Sequence, residues 1–324
     1  PGLSSSGSPT TAKATTDENE RRIEAWKEQK VVEWHKGGKL RDRFPDVNEF
    51  RAWMETQILK AKQKAATKNP NPEGVDSDGK RYRNLGEIWE KYAKNPEKGG
   101  KHEIKKDNKG QKKRRRKGLR KSECQSRTDW YQKGKRYWQN APPTLEGVLG
   151  GFGHISPLDI QESKKFIKSL PKGVGRTRAV DLGAGIGRVA SNLLLGMFSR
   201  VDIVEQDKSY VDAAKAALSK VEGIGSFDEV GLQDYKPDKG IYDVMWFQWV
   251  LGHLPDDDLV QLLSRCRAAL AEGGVLVVKE NMSRKGFILD KEDMSVTRTE
   301  GMFRELFIKA GLKIVKEAWQ SNFP

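Results

Sequence analysis

Val180-Asp181-Leu182-Gly183-Ala184-Gly185-Ile186-Gly187-Arg188 decides the fold of this 324-residue chain. The apolar run breaks into glycines at alternate positions. A second apolar run, Val201 to Val204, ends in Glu205 about 20 residues on. A strand entering such a turn lets backbone approach a ligand closely, and the acid after the next strand can accept from ribose hydroxyls. The pattern predicts a Rossmann-like pocket for a nucleoside. A glycine-rich strand-to-helix turn without a ligand is the alternative.

The spacing also bears on which nucleoside. A nicotinamide fingerprint, G-x-G-x-x-G, would want a small residue at 188, where this chain has Arg188. The G-x-G-x-G form, with Asp181 two residues ahead, is typical of S-adenosylmethionine enzymes. A guanidinium at Arg188 suits the methionine carboxylate, since the two groups match as a two-pronged pair.

Composition narrows the class. No run of 18 or more apolar residues occurs, so no membrane span is expected. The Ser- and Thr-rich start lacks the apolar centre of a secretory signal. Cys124 and Cys266 are too few for a disulfide framework or a zinc site, which fits a reducing intracellular compartment. The net charge of +15 is uneven: about 33 of the 60 Lys and Arg, but only about 19 of the 45 Asp and Glu, precede residue 129.

Residues 1–16 read as a disordered lead and 17–94 as a small helical module. Three capping-box spacings open its helical patterns: Asp17 with Glu20, Asp46 with Glu49, and Asn84 with Glu87. Behind them Ile23, Trp26 and Trp34, then Phe50, Trp53, Met54 and Ile58, then Leu85, Ile88, Trp89 and Tyr92 keep helical spacing. Residues 95–128 are a polybasic linker culminating in Lys112 to Lys117. Such a run repels itself and builds no core. It suits nuclear import or nucleic-acid contact through 98–121, and equally a merely solvated segment.

Residues 129–324 alternate helices and strands, which predicts a parallel sheet covered by helices on both faces. Helices are expected near Trp130–Gln139, Asp159–Leu170, Arg188–Phe198, Lys208–Leu218, Asp256–Leu270 and Thr297–Ala310. Strands are expected at Ala179–Leu182, Val201–Val204, Phe227–Val230, Tyr242–Phe247, Val275–Lys279 and Lys313–Glu317. Ligands of such sheets lie beyond the carboxyl ends of the strands, where Gly183, Glu205 and Gln248 fall.

Three further strand ends carry polar groups. Gly231-Leu232-Gln233-Asp234 could read an adenine edge, or be an ordinary turn. Gln248, Trp249 and His253 interrupt an apolar run, and His253 is either a proton acceptor near neutral pH or a hydrogen-bonded core residue. After the fifth strand, Glu280 and Asn281, with Asp290 and Asp293 in the following loop, suit a cationic or amine substrate. The alternative is that Asp290, Glu292 and Asp293 merely cap the next helix.

Taken together these segments resemble the alpha-N-terminal (Xaa-Pro-Lys) protein methyltransferases. The resemblance covers about residues 130–324 and rests on Tyr137-Trp138, Pro142-Pro143-Thr144, Gly147, Leu149 to Ser156, Asp181 to Arg188, Gly231 to Asp234, Gln248 to Leu254, Lys279 to Met282 and Ile288 to Ser295. It implies a Rossmann-like class I methyltransferase fold. It implies S-adenosyl-L-methionine held by Gly183, Arg188, Glu205, Gln206, Asp207, Leu232, Gln233 and Gln248, with Tyr137 and Trp138 closing over it and S-adenosyl-L-homocysteine as product. A peptide channel involving Leu149, Gly150, Ile155, Trp249, Asn281, Asp290 and Ser295 is also implied. Asp293 and His253 match the pair assigned to proton removal, with Asn281 beside them. The implied partners are proteins with exposed Xaa-Pro-Lys N-termini, in nucleus and cytoplasm.

Glu205 and Glu280 stand where the family usually has Asp, one methylene shorter. The residues before about 128 have no counterpart in compact members. The chain starts at Pro1 and stops at Pro324, short of a last strand that the resemblance predicts, so a fragment of reduced stability or activity is expected. Two rivals remain at this level: a nucleic-acid methyltransferase guided by the basic region, and a non-catalytic cofactor-binding platform. Against the first, no Asn-Pro-Pro-Tyr-like motif follows the fourth strand.

Overall fold

The computed structural model describes residues 10–66, 72–93, 126–320 and 323. The chain divides into two compact units, one of residues 1–70 with 314–317, the other of residues 71–313 with 318–324.

The first unit holds α1 (Thr10–His35), α2 (Lys39–Arg43) and α3 (Val47–Ala66). Gly37 and Gly38, at φ 80° and 83°, turn the chain between α1 and α2. Trp34 stacks on Phe50 at 5.1 Å and gives its indole N–H to the Phe44 carbonyl at 2.7 Å. The expected cap at Asp46 forms, its Oδ1 accepting from the N–H groups of Asn48 and Glu49. Asp17, in contrast, falls inside α1, which starts at Thr10, within the segment read as a disordered lead. The rest of that lead, and nearly all of the polybasic linker, lie outside the described residues.

The second unit begins with β1 (Gly74–Asp76), β2 (Arg81–Tyr82) and α4 (Leu85–Tyr92). After residue 126 come α5 (Arg127–Asn140), α6 (Leu145–Val148), α7 (Ser156–Lys168), β3 (Arg178–Leu182), β4 (Arg200–Glu205), α8 (Lys208–Leu218), β5 (Ile224–Glu229) and β6 (Tyr242–Gln248). Then follow α9 (Asp256–Ala269), β7 (Leu270–Lys279), β8 (Phe287–Asp290), β9 (Ser295–Thr297) and α10 (Glu300–Lys309).

The five central strands pair in parallel in the order β5-β4-β3-β6-β7. Their side chains alternate between two cores, as strand geometry requires. Val180, Leu182, Val204, Met245 and Phe247 pack with Leu259, Leu263, Phe303 and Leu306 of α9 and α10. Ala179, Val201, Ile203, Val244 and Trp246 pack with Ile167, Leu193, Ala214 and Leu218 on the other face. Strand order reverses at β3, with β4 on one side and β6 on the other, and such a reversal opens the crevice in which these sheets bind ligands.

Three segments depart from the sequence reading. The helix expected from Arg188 to Phe198 widens into a π-helical turn at Ala190–Leu194, where the Ala190 N–H donates to the Asp181 carboxylate at 2.9 Å. Lys313–Glu317, expected as a strand, belongs to no strand; alternation alone forms none without a neighbouring backbone to pair with. A second sheet, β2-β1-β8-β9, was not anticipated. In it β1 pairs in parallel with β8, so residues 74–92, read as part of the helical module, pack in the second unit. Tyr82, Leu85, Ile88 and Tyr92 share a core with Trp130, Phe287, Leu289, Met294 and Val296. Asn84 caps α4 as expected, accepting from the Glu87 N–H at 3.2 Å.

Candidate active site

The glycine turn after β3 is built for backbone approach. Gly183 and Gly187 sit at φ 76° and 77°, where a side chain is strained. A Cβ on Gly183 would also stand 2.4 Å from Val250 and one on Gly187 2.8 Å from Leu218. The turn borders a cleft of about 1000 Å³ including its open mouth, lined among others by Gly183, Arg188, Glu205, Gln206, Leu232, Gln233 and Gln248 at the strand ends and by Trp138 above them. Of the residues expected to hold a cofactor, two stand outside that lining. Asp207 caps α8 through its Oδ1, and Tyr137 is 41 % exposed on α5.

Glu205 is enclosed, and burial pushes its carboxyl above the usual range against the pull of three backbone amides. Its Oε1 accepts from Gln206 and Asp207 at 2.7 and 3.0 Å and its Oε2 from Gly185 at 2.9 Å. The methylene that Glu has over Asp lets one carboxylate staple the glycine turn to the start of α8. A carboxylate has about four acceptor positions, so room remains for a hydroxyl. This donor set, a glycine cradle and an acid at the end of β4, fits an adenosine ribose.

Trp249, Val250 and His253 also line the cleft, whereas Asp293 stands outside its lining. Trp249 has φ 54°, rare for a bulky residue and characteristic of functional sites. The loop is held because Trp249 N–H donates to the Lys279 carbonyl at 3.0 Å, while Val250 and Leu251 both donate to Glu280 Oε1 at 2.9 and 2.8 Å. His253 follows on a short 3₁₀ turn and its Nε2 accepts from the Trp138 indole N–H at 3.2 Å. A neutral imidazole accepting at Nε2 carries its proton on Nδ1. That Nδ1 is buried without a hydrogen-bond partner, and so is Asp293 Oδ1. Burial pushes the Asp293 carboxyl up, with His253 and Ser295 pulling the other way.

The helix α5 roofs this region. Trp130 donates to the His253 carbonyl at 2.7 Å, and the Tyr210 hydroxyl donates to the carbonyls of Trp138 and Ala141 at 3.0 and 3.3 Å. A Cβ on Gly134 would reach the Asp293 carbonyl at 3.0 Å, so α5 lies directly on the 293–294 backbone. Tyr137 meets Trp138 edge-on at 5.3 Å, and burial, then Asp293, Asp290 and Glu292, raise its hydroxyl pKa.

Of the residues expected to line a peptide channel, Leu149 and Trp249 border the cleft. Gly150 and Asn281 are exposed and Ile155 and Ser295 half-buried, all outside its lining. Asp290, exposed at the end of β8, accepts from the Glu292 N–H at 2.8 Å. The acids of this loop do not cap α10, whose cap is Thr299. Tyr131, Asp181 and Tyr210 also line the cleft. Tyr210 had one usable signal, its place in the first turn of the helix after Glu205. Among the described residues no cluster of His, Cys, Asp and Glu could hold a metal ion.

The model of the AdoMet dependent proline di-methyltransferase family matches residues 126–324. The N-terminal Xaa-Pro-Lys N-methyltransferase 1 of Homo sapiens is 42% identical over 201 residues, covering 60% of this chain and 90% of that protein. The alpha N-terminal protein methyltransferase 1 of Dictyostelium discoideum is 38% identical over 265 residues, covering 79% and 88%. A solved SAM-dependent methyltransferase of Leishmania major superposes with a TM-score of 0.65 at 34% identity, covering 78% of this chain and 92% of that one.

Proposed function

The chain belongs to the AdoMet-dependent proline di-methyltransferase family, and from that premise we propose that it methylates the α-amino group of protein N-termini beginning Xaa-Pro-Lys. It is a transferase that uses S-adenosyl-L-methionine and releases S-adenosyl-L-homocysteine. The observation that carries the substrate reading is the pair of buried, partnerless atoms His253 Nδ1 and Asp293 Oδ1. Buried polar atoms are almost always satisfied, so the open acceptor Asp293 Oδ1, which interacts electrostatically with His253 of the cleft wall, asks for a donor group from elsewhere. An amine offers that group.

The bound cofactor supplies an electrophilic methyl group on a sulfonium. Gly183, Arg188, Glu205, Gln206, Leu232, Gln233 and Gln248 would hold it, Asp207 supporting Glu205's end of the turn and Tyr137 with Trp138 covering the mouth. An α-amine has pKa about 7.7–8.0, so most of it is protonated at pH 7 and has no lone pair to attack with. Asp293 takes that proton, while His253, its Nε2 held by the Trp138 indole, and Asn281 position the amine. A second-position proline has a preset φ and no N–H to satisfy, and packs against the Trp249 ring. A third-position lysine meets Asp290. Leu149, Gly150, Ile155 and Ser295 form the rest of the channel.

Residues 98–121 contact nucleic acid or chromatin, and the protein works in nucleus and cytoplasm. Their support is the basic run alone. Incubation with a Ser-Pro-Lys peptide, and location of the methyl groups by mass spectrometry, tests the main reading. Transfer confined to internal lysines contradicts it.

A further inference from the structure

We propose that Asp159, a residue outside the cleft lining, is the positioning residue for the amino-acid arm of the cofactor, acting through Arg188, Gln248 and Lys279. The proposal rests on the S-adenosylmethionine reading of the site.

Asp159 lies on α7 and is wholly buried. Three side chains from three other elements converge on its carboxylate. Arg188, opening the helix after the glycine turn, places Nη1 2.7 Å from Oδ2. Gln248, the last residue of β6, donates from Nε2 to both oxygens at 3.0 and 2.9 Å. Lys279, the last residue of β7, pairs with Oδ1 and donates to Ser163 Oγ at 2.9 Å.

The surroundings remove other freedom. Gln248 Oε1 accepts from the Trp246 indole N–H at 3.1 Å, which fixes the orientation of the amide. Arg188 Nη1 also donates to Ser156 Oγ at 3.2 Å, and its guanidinium carbon stands 5.6 Å from the Trp249 ring. One carboxylate thus sets the guanidinium and the amide that both line the cleft.

Within contact distance Arg188 and Lys279 are two cations facing the one anion Asp159, while Asp181 acts on Arg188 and Glu162 on Lys279 through space only. Burying an uncompensated charge is costly. Burial also lowers the Lys279 pKa, the sign of a cation held short of full compensation. A carboxylate arriving in the cleft would give the Arg188 guanidinium a second partner, and the amino-acid arm of the cofactor carries one beside its own ammonium. Without Asp159 the two cations repel, Gln248 loses its acceptor, and Arg188 leaves its place.

The test is binding to the full chain, measured by calorimetry with two probes. S-adenosylhomocysteine carries the carboxylate, and 5′-methylthioadenosine lacks the whole amino-acid arm. Asp159→Asn should weaken S-adenosylhomocysteine roughly tenfold or more, the worth of a charge-assisted bond, and leave 5′-methylthioadenosine within about twofold. Asp159→Glu should recover much of the loss. Lys279→Met, which leaves Asp159 and Arg188 balanced one to one, should weaken S-adenosylhomocysteine selectively even if the Asn variant does not fold. Equal loss of both probes, or unchanged or tighter S-adenosylhomocysteine binding, would overturn the proposal. Failure of the unaltered chain to bind either probe would instead overturn the cofactor reading beneath it.

Discussion

Asp293 is a carboxylate pushed above its usual range by burial, with one oxygen that finds no partner. A base must be ionised to take a proton, so acidification should silence it at a higher pH than an ordinary carboxylate would require. Asp293→Asn removes the charge at nearly constant shape. It should lower kcat about a hundredfold or more and leave S-adenosylhomocysteine affinity within about twofold. Matching losses in the two quantities would speak for a merely structural Asp293.

Glu280 makes a separate prediction. Burial pushes its carboxyl from 4.5 to about 7, against the pull of the Leu251 and Val250 amides and Arg298. The folded protein therefore binds this proton more tightly than the unfolded chain does. Its contribution favours folding below about pH 4.5 and fades as pH rises towards 7. Asp181, also raised to about 7, adds a slope of the same sign. Glu280→Gln keeps an Oε1 acceptor for both amides and should flatten the decline in urea stability between about pH 5 and 8. An unchanged slope would remove Glu280 from the explanation.

The strand ends that carry Gly183, Glu205 and Gln248 were legible in the sequence because the apolar run before each announces the strand. Asp159 and Glu280 were not legible in these roles. Each acts by meeting residues from elements distant in the chain, and no spacing records such a convergence.

Among the elements, the central strands were readable because they are buried on both faces and appear as continuous apolar runs, as in the fully buried β6. The second sheet was not, since its strands have only two to four residues and read as loop. It holds the β8–β9 turn. The turn between β8 and β9 carries Asp293, and β8 is pinned from the far side by β1, with the Ser77 N–H donating to the Leu289 carbonyl at 2.8 Å. Below it α4 sends the fully buried Ile88 into the core that also holds Met294 and Val296. Ile88→Ala should cost about 2–5 kcal/mol in chemical denaturation. A loss under about 0.5 kcal/mol would mean that α4 is a surface attachment.

At the scale of the whole molecule, the catalytic unit is larger than the region shared with compact relatives. The match to the human relative covers 60% of this chain, whereas the second unit begins at Asn71. The match to the Dictyostelium relative covers 79%, more than residues 126–324 can supply. The excess behind the net charge of +15 lies ahead of residue 129, most of it between residues 71 and 128. Removal of 98–121 should lower DNA affinity and flatten its salt dependence. DNA binding that is unaltered by the deletion would count against contact through this run.

The central claim is that the methyl group goes to a protein α-amine. Its most direct test uses a Ser-Pro-Lys peptide with a free N-terminus beside the same peptide N-acetylated, each incubated with the protein and S-adenosylmethionine and sequenced by mass spectrometry. Methyl groups should appear on the α-amine of the free peptide and nowhere on the acetylated one. Equal methylation of the two peptides, or methylation of the lysine side chain alone, would contradict the claim.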